Sequence, residues 1–193
     1  AQASPQKLVE TLKHPTMLWR KHAQRLLVER GKRDVVPALL ELIADQSVDA
    51  IGLNAGAIHA LWTLHGLGIA DGSNKVVNLA ITDAFRHPSA GVRRNAIQVL
   101  PRRKNATQAL AESDLFNDPN AQVRLAALLA LADLPPSSDA VRRLVEITES
   151  GAALDQWLSD ALTSAAANQG PEFLTAIANS KLAPSPATLE IIR

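Results

Sequence analysis

Five histidines, three tryptophans and two knots of arginine and lysine are the residues of this 193-residue chain whose types could do chemistry. The histidines are His14, His22, His59, His65 and His87. A metal or a haem iron needs imidazoles that converge, and helices achieve this with His pairs four residues apart or with HExxH. Neither pattern occurs, and His59 and His65, six residues apart, lie on different sides of a helix. His14 and His87 instead recur at equivalent helix starts, and His22 and His59 at equivalent mid-helix positions, which reads as capping and packing. Trp19, Trp62 and Trp157 could stack on bases. Trp19 and Trp157 fall at one recurrent apolar position, however, and Trp62 shares a helical face with Ile58, Leu61 and His65, so all three read as packing residues. Arg93, Arg94, Arg102, Arg103 and Lys104 are the densest cationic cluster and the candidate interaction surface. A second group comprises Arg20, Lys21, Arg25, Arg30, Lys32 and Arg33. Such stripes suit phosphates or acidic protein surfaces.

Other chemistries lack their residues. HGLGIADG, from His65 to Gly72, follows a helix rather than a strand and is not a dinucleotide fingerprint. No GxSxG motif, P-loop or paired-carboxylate site stands out. With no Cys there is no thiolate metal site, no Cys nucleophile and no CxxCH haem attachment in this stretch. No catalytic residue, metal ligand or cofactor site is assigned.

The elements that position these residues follow from a repeat. His14-Pro15-Thr16-Met17-Leu18-Trp19-Arg20-Lys21-His22-Ala23 aligns with His87-Pro88 through Arg93 to Ala96, and with Asp118-Pro119 through Arg124 to Ala127. Leu26-Leu27, Val99-Leu100 and Ala130-Leu131 follow at matching offsets. Looser copies match His59-Ala60 to His22-Ala23 and Trp157 and Ala161 to Trp19 and Ala23. The aligned alanines Ala23, Ala60, Ala96, Ala127 and Ala161 are separated by 37, 36, 31 and 34 residues, a period that signals stacked helix pairs. Trp19, Ala23, Leu26 and Leu27 form one apolar stripe at helical spacing. The recurrent prolines are placed at the first helical position, where a missing N–H is harmless, with Asp118 as an N-cap. The expected fold is all-α, a right-handed α-solenoid of about five helix pairs forming a single domain over residues 1–193.

The pattern predicts a leading helix within 1–13, then helices at 16–30, 34–43, 54–65, 76–85, 88–100, 107–115, 119–133, 138–148, 153–168 and 172–179. A further turn of helix is expected at 187–192. Ala and Leu dominate and aromatics are only 3%, which favours helix over sheet. No apolar run approaches the ~20 residues that span a bilayer. The net charge of +1 conceals an asymmetry. Residues 1–104 hold 15 Lys and Arg against 8 Asp and Glu, whereas residues 105–193 hold 5 against 11. An exposed Leu189/Ile191/Ile192 end and the lack of an initiating Met read as a segment of something longer.

Pro, then an aliphatic residue or Trp, then Arg and Ala-x-x-Leu-Leu, resembles HEAT repeats, including the short bacterial variety. Val92-Arg93 and Val123-Arg124 carry the resemblance most closely. It implies that Arg20, Arg93 and Arg124 pair with acidic residues of neighbouring repeats. Trp19, Arg20, Ala23, Arg93, Ala96, Arg124 and Ala127 would then be repeat-structural. HPTMLWRKHAQRLLVERG and AIHALWTLHGLG (residues 57–68) are also similar to the HEAT segment of large bacterial secreted proteins. In those, the segment lies between a propeller similar to glucose/sorbosone dehydrogenases and a c-type cytochrome domain. This implies a periplasmic or envelope setting, with cytoplasm left open, and places any redox activity in flanking domains.

The function expected is a non-catalytic scaffold for a protein partner or for flanking domains of the same chain. Its surface should be the inner layer formed by the second helix of each pair. The alternative is a nucleic-acid binder of the HEAT-like DNA glycosylase type, using the basic first half, against which the acidic second half argues. A third reading is a chromophore- or haem-handling protein like the bilin lyases.

Overall fold

The structure is a computed structural model and describes residues 3–150 and 154–180; the helix expected at 187–192 lies outside them. Among the described residues there are ten α-helices, short 3-10 turns and no strand, so the fold is all-α and HEAT-like, as expected. Contacts group the chain into two compact units, residues 1–101 and 102–193. The first unit holds α1 (Pro5–Thr11), α2 (Met17–Arg30), α3 (Val36–Ala44), α4 (Ala55–Gly66), α5 (Lys75–Asp83) and α6 (Ala90–Gln98). Its first helices α2, α4 and α6 pack in series, and α3 packs against α4 and α5. The second unit holds α7 (Lys104–Ala111), α8 (Ala121–Asp133), α9 (Ser138–Glu149) and α10 (Gln156–Asn179). There α8 lies along α10, and α9 packs on both α7 and α10.

Short polar side chains start most helices by accepting orphan N–H groups. Asn54 Oδ1 accepts from Ala57 N at 2.9 Å, Asn120 Oδ1 from Gln122 N at 3.0 Å and Asp155 Oδ1 from Leu158 N at 2.9 Å. The recurrent prolines sit elsewhere than predicted. The N-caps are Thr16, Ser89 and Asn120, each one residue after Pro15, Pro88 and Pro119. Pro therefore stands just outside the helix, and Asp118 is not the N-cap.

What His14, His87 and Asp118 do is close the turn before it. His14 Nδ1 accepts from Thr16 N at 3.0 Å, His87 Nδ1 from Ser89 N at 2.9 Å and Asp118 Oδ1 from Asn120 N at 2.9 Å. Buried His87 also donates from Nε2 to Asp45 O at 2.8 Å, which fixes a neutral tautomer and ties the turn to the 45–53 loop. From within each helix an arginine reaches back to the same turn. Arg20 Nη1 donates to the carbonyls of His14 (2.6 Å) and Pro15 (2.8 Å). Arg93 Nη1 does so to His87 (2.8 Å) and Pro88 (2.9 Å), and Arg124 Nη1 to Asp118 (2.7 Å) and Pro119 (3.4 Å). For Arg20 and Arg124 these carbonyls replace the neighbouring carboxylate implied by the resemblance. Pro explains the choice of partner: the turn is extended and contains no N–H at Pro to pair with, so its carbonyls need an outside donor.

Counted from the helix start, the third residues are Trp19, Ala57, Val92, Val123 and Leu158. All are buried except Trp19, which is 53% exposed. This corrects two expectations. Trp19 is not a core residue, and Trp157 is 74% exposed because it is the second residue of α10, with Leu158 taking the core position. The same one-residue shift makes Leu61 and Leu162, not Ala60 and Ala161, the counterparts of Ala23, Ala96 and Ala127 at the seventh position. All five of those seventh residues are buried.

Polar links join the helices within each unit. Trp62 Nε1 donates to Asn95 Oδ1 at 2.6 Å, and its ring meets His65 edge-on at 5.4 Å. His59 Nδ1 donates to Gln24 Oε1 at 2.6 Å. In the second unit Arg143 Nε donates to Ala111 O at 2.8 Å with its guanidinium over Phe116, and Asn168 Nδ2 donates to Leu131 O and Leu134 O at 2.9 and 2.8 Å. The two helices expected at 153–168 and 172–179 are both present within the stretch labelled α10 and meet at a kink. The kink is at Gly170, whose φ of 53° and ψ of −131° favour glycine, immediately before Pro171.

Two consequences can be measured. Replacing Arg124 by Met should cost about 2 kcal/mol, since hydrogen bonds from a charged donor contribute about 1.5–3 kcal/mol each in favourable cases. That corresponds to a Tm lowered by roughly 4–8 °C for a chain of this size. Arg94→Met, at an exposed position on the same kind of helix, should stay within about 0.5 kcal/mol. Equal effects of the two in thermal melts would contradict the turn account. The second concerns His59, whose pKa is held below the ordinary imidazole value by burial first and by the Arg20 charge second. In the unfolded chain this group takes up a proton near pH 6.5. Its contribution is therefore complete above that pH and is lost as pH falls toward the lower folded-state value. Urea midpoints should drop more between pH 7 and pH 5 for the wild type than for His59→Gln; parallel drops would show that His59 is not responsible.

Candidate interaction surfaces

The five cationic residues singled out by sequence divide between the units. Arg93 and Arg94 belong to the first; Arg102, Arg103 and Lys104 belong to the second. Arg93 is half-buried and committed to the His87-Pro88 turn. Arg94 is exposed on α6. Arg102 is exposed and its Nη2 lies 3.5 Å from Asp133 Oδ2. Arg103 is the N-cap residue of α7 without a side-chain capping bond, and Lys104 is the first residue of that helix. Positive charge at a helix N-terminus opposes the helix dipole and favours an anionic neighbour there.

The histidines do not converge on a site. His14 and His87 close turns, His59 bridges to Gln24, and His22 and His14 flank the Trp19 ring at 6.3 and 6.4 Å. Among the described residues no group of three or more His, Cys, Asp or Glu could hold a metal ion. No described helix is long and apolar enough to cross a membrane.

The second helices, expected to present the partner surface, contain two grooves that sequence reasoning did not locate. In the first unit, α5 carries two apolar stripes. Val77 and Ile81 face the core, whereas Val76 and Leu79 face solvent, 62% and 60% exposed. With Leu40 and Ile43 of α3 and Ala80 they line a groove of about 420 Å³, rimmed by Gln46 and Asp83. The signal was present in Lys75-Val76-Val77-Asn78-Leu79-Ala80-Ile81, which holds more apolar residues than one buried face can use. In the second unit a groove of about 530 Å³ separates α9 from the part of α10 after the bend. Val141, Val145 and Ala176 form its floor, and Arg142, Glu146 and Glu172 its rim. Arg142 is 3.0 Å from Asp139 and 4.0 Å from Glu146, which orders that rim. Clefts with an apolar floor and charged edges suit an amphipathic helix or an extended segment.

Residues 78–163 match the family model for HEAT repeats. No curated protein matches the chain. The matched stretch runs from α5 into α10 and includes two of the three arginine-closed turns, those of Arg93 and Arg124. HEAT repeats are typically protein-interaction scaffolds, and their fold is generally non-catalytic. Residues 78–163 are thus similar to HEAT repeats, and the match supports a HEAT-repeat domain there.

Proposed function

We propose that this chain is a non-catalytic scaffold that docks a protein segment in its second-helix grooves, with the α3/α5 groove as the main site. The observation that carries this reading is the pair Val76 and Leu79. Large aliphatic side chains exposed side by side over a groove mark a surface that gains stability when covered. The partner is read as a flanking domain of a larger, envelope-associated protein. That setting is supported by the likeness of residues 14–31 and 57–68 to the HEAT segment of secreted dehydrogenase-like proteins.

Nucleic-acid binding through the basic first half is the less favoured reading. Arg93 and Arg20 already spend their guanidinium groups on turn carbonyls, and Arg30 is paired with Asp34.

A photo-crosslinking residue at Leu79, introduced into the protein in its native cell, should give one discrete adduct, mapped by mass spectrometry to a defined segment. The same probe at exposed Lys75 should give much less. Val76→Glu should abolish the Leu79 adduct while leaving stability within about 0.5 kcal/mol, as befits a surface position. Equal diffuse labelling from both positions would remove the groove as a docking site. Duplex DNA titrated at low salt should show no binding; affinity falling steeply with salt would favour the nucleic-acid reading instead.

A further inference from the structure

His87 ties together the two walls of the α3/α5 groove. Its backbone N–H donates to Ala84 O at 3.2 Å, and Ala84 lines the groove at the end of the α5 wall. Its ring Nε2 donates to Asp45 O at 2.8 Å. That carbonyl belongs to the peptide leading into Gln46, which lines the groove at the end of the α3 wall. The other ring nitrogen, Nδ1, accepts from Ser89 N at 2.9 Å. One side chain, 1% exposed, thus closes its own turn and pins the 45–53 loop to the segment that follows α5. Asn54, the cap of α4, holds the same loop separately: its Nδ2 donates to Asp45 O at 2.8 Å and to Ser47 O at 2.9 Å.

This arrangement admits only the neutral ring. Nδ1 faces an N–H, so a proton on Nδ1 would set one donor against another inside a buried turn. A ring that takes up a second proton must turn away from Ser89, and turning carries Nε2 off Asp45 O. Charged groups surround it. Hydrogen bonds from Ser47 first, and the Lys13 and His87 charges after them, hold the Asp45 carboxyl below the usual carboxylate range, so Asp45 stays ionised while imidazoles take up protons. Arg93 of α6 lies on the His87 carbonyl, Arg86 precedes His87 in the chain, and α5 brings Asp83 to the groove rim. Of these, the Asp45 carboxylate gives a displaced imidazolium an anionic partner on the loop it has just released.

We infer that His87 is a protonation switch for the α3/α5 groove. With the ring neutral, the two walls are pinned at this end and the groove holds its segment. With the ring protonated, the pin is withdrawn and the segment is released. Asn54 keeps the loop on α4 in both states, so the change is in how Gln46 stands against Ala84 and not in the fold of the unit. The switch rests on the docking reading for what the groove holds, but the opening belongs to the protein alone. Diffuse crosslinking from Leu79 would remove the occupant and leave the switch. A groove that ignores pH would remove the switch and leave the occupant.

Residue-resolved NMR of the full chain, titrated from pH 8 to pH 5, tests it. At pH 8 the His87 ring should be the Nε2–H tautomer and the Ser89 amide should be protected from exchange. As the ring protonates, the Ser89 amide should lose that protection, and the Gln46 and Ala84 signals should move with the same midpoint as the ring. The Ala57 amide, bonded to Asn54 Oδ1, should stay in place. His87→Asn keeps an acceptor at short reach, as Asn120 does for Gln122 N, but cannot titrate. Its Gln46 and Ala84 signals should not change over this range, whereas His59→Gln should respond like the wild type. A His87 ring still neutral at pH 5 overturns the inference, as does one that protonates while Gln46 and Ala84 stay still. A wild-type pH response in His87→Asn overturns it too, by assigning the change to another group. If that variant does not fold, the wild-type titration decides alone.

Discussion

The hydrogen bonds from one arginine to two carbonyls of the preceding turn are the constraint on which the repeats depend. Arg20, Arg93 and Arg124 each reach back over one helical turn to the residues at and before a proline. A proline there disfavours helix at the residue before it and removes an N–H, leaving carbonyls outside the helical ladder that a side-chain donor can bind. The arginine supplies the donor, and His14, His87 or Asp118 supplies the acceptor for the N–H two residues on. Together they fix the angle at which the chain enters the helix. That angle aims the seventh residue of the helix, Ala23, Ala96 or Ala127, into the core. A histidine and an aspartate are interchangeable in this role because it needs only an acceptor at short reach, which is why the same turn begins with different chemistry in different repeats.

From this turn the packing follows. Once the entry is fixed, the seventh residue of each first helix is committed to the interior, as is the third in every one but α2, and close approach of neighbouring helices demands small residues where they touch. Gly56, Gly66 and Gly91 stand where a Cβ would press on Lys13, Val28 and Ile58. The second helices are freer. α5 and α9 need only one buried stripe, and what they carry on the other side is available for contact. That division of labour, first helices stacking and second helices presenting, puts the grooves on α3/α5 and α9/α10 and gives the scaffold reading its physical basis.

Much of this was legible in the sequence. The alternation of apolar and polar residues located nearly every helix, because amphipathic periodicity reports directly on burial. The repeat was found through Pro, Arg and Ala, the residues whose roles are sterically or electrostatically narrow. Two things were not legible. The register of the weaker copies slipped by one residue, because Ala60 and Ala161 resemble Ala23 in type while Leu61 and Leu162 share its place in the helix. Trp19 was assigned to the core because an apolar residue on an amphipathic helix is ordinarily buried; only the packing shows that it lies on the uncovered side. The partners of Arg20 and Arg124 were equally out of reach, since backbone carbonyls leave no trace in side-chain types. The grooves escaped because exposed Val76 and Leu79 look, one residue at a time, like ordinary helix-forming aliphatics.

The most direct measurement of the turn account is amide hydrogen exchange in the native protein, followed residue by residue by NMR. The N–H groups of Thr16, Ser89 and Asn120 precede their helices and lie outside the helical hydrogen-bond ladders. If His14, His87 and Asp118 hold them and the arginines hold the carbonyls beside them, these three amides exchange far more slowly than the amide of Ala50, exposed in the 45–53 loop. Exchange at Thr16, Ser89 and Asn120 as fast as in that loop would contradict the account, because the turns would then be open and the helix entries would have to be set by something else.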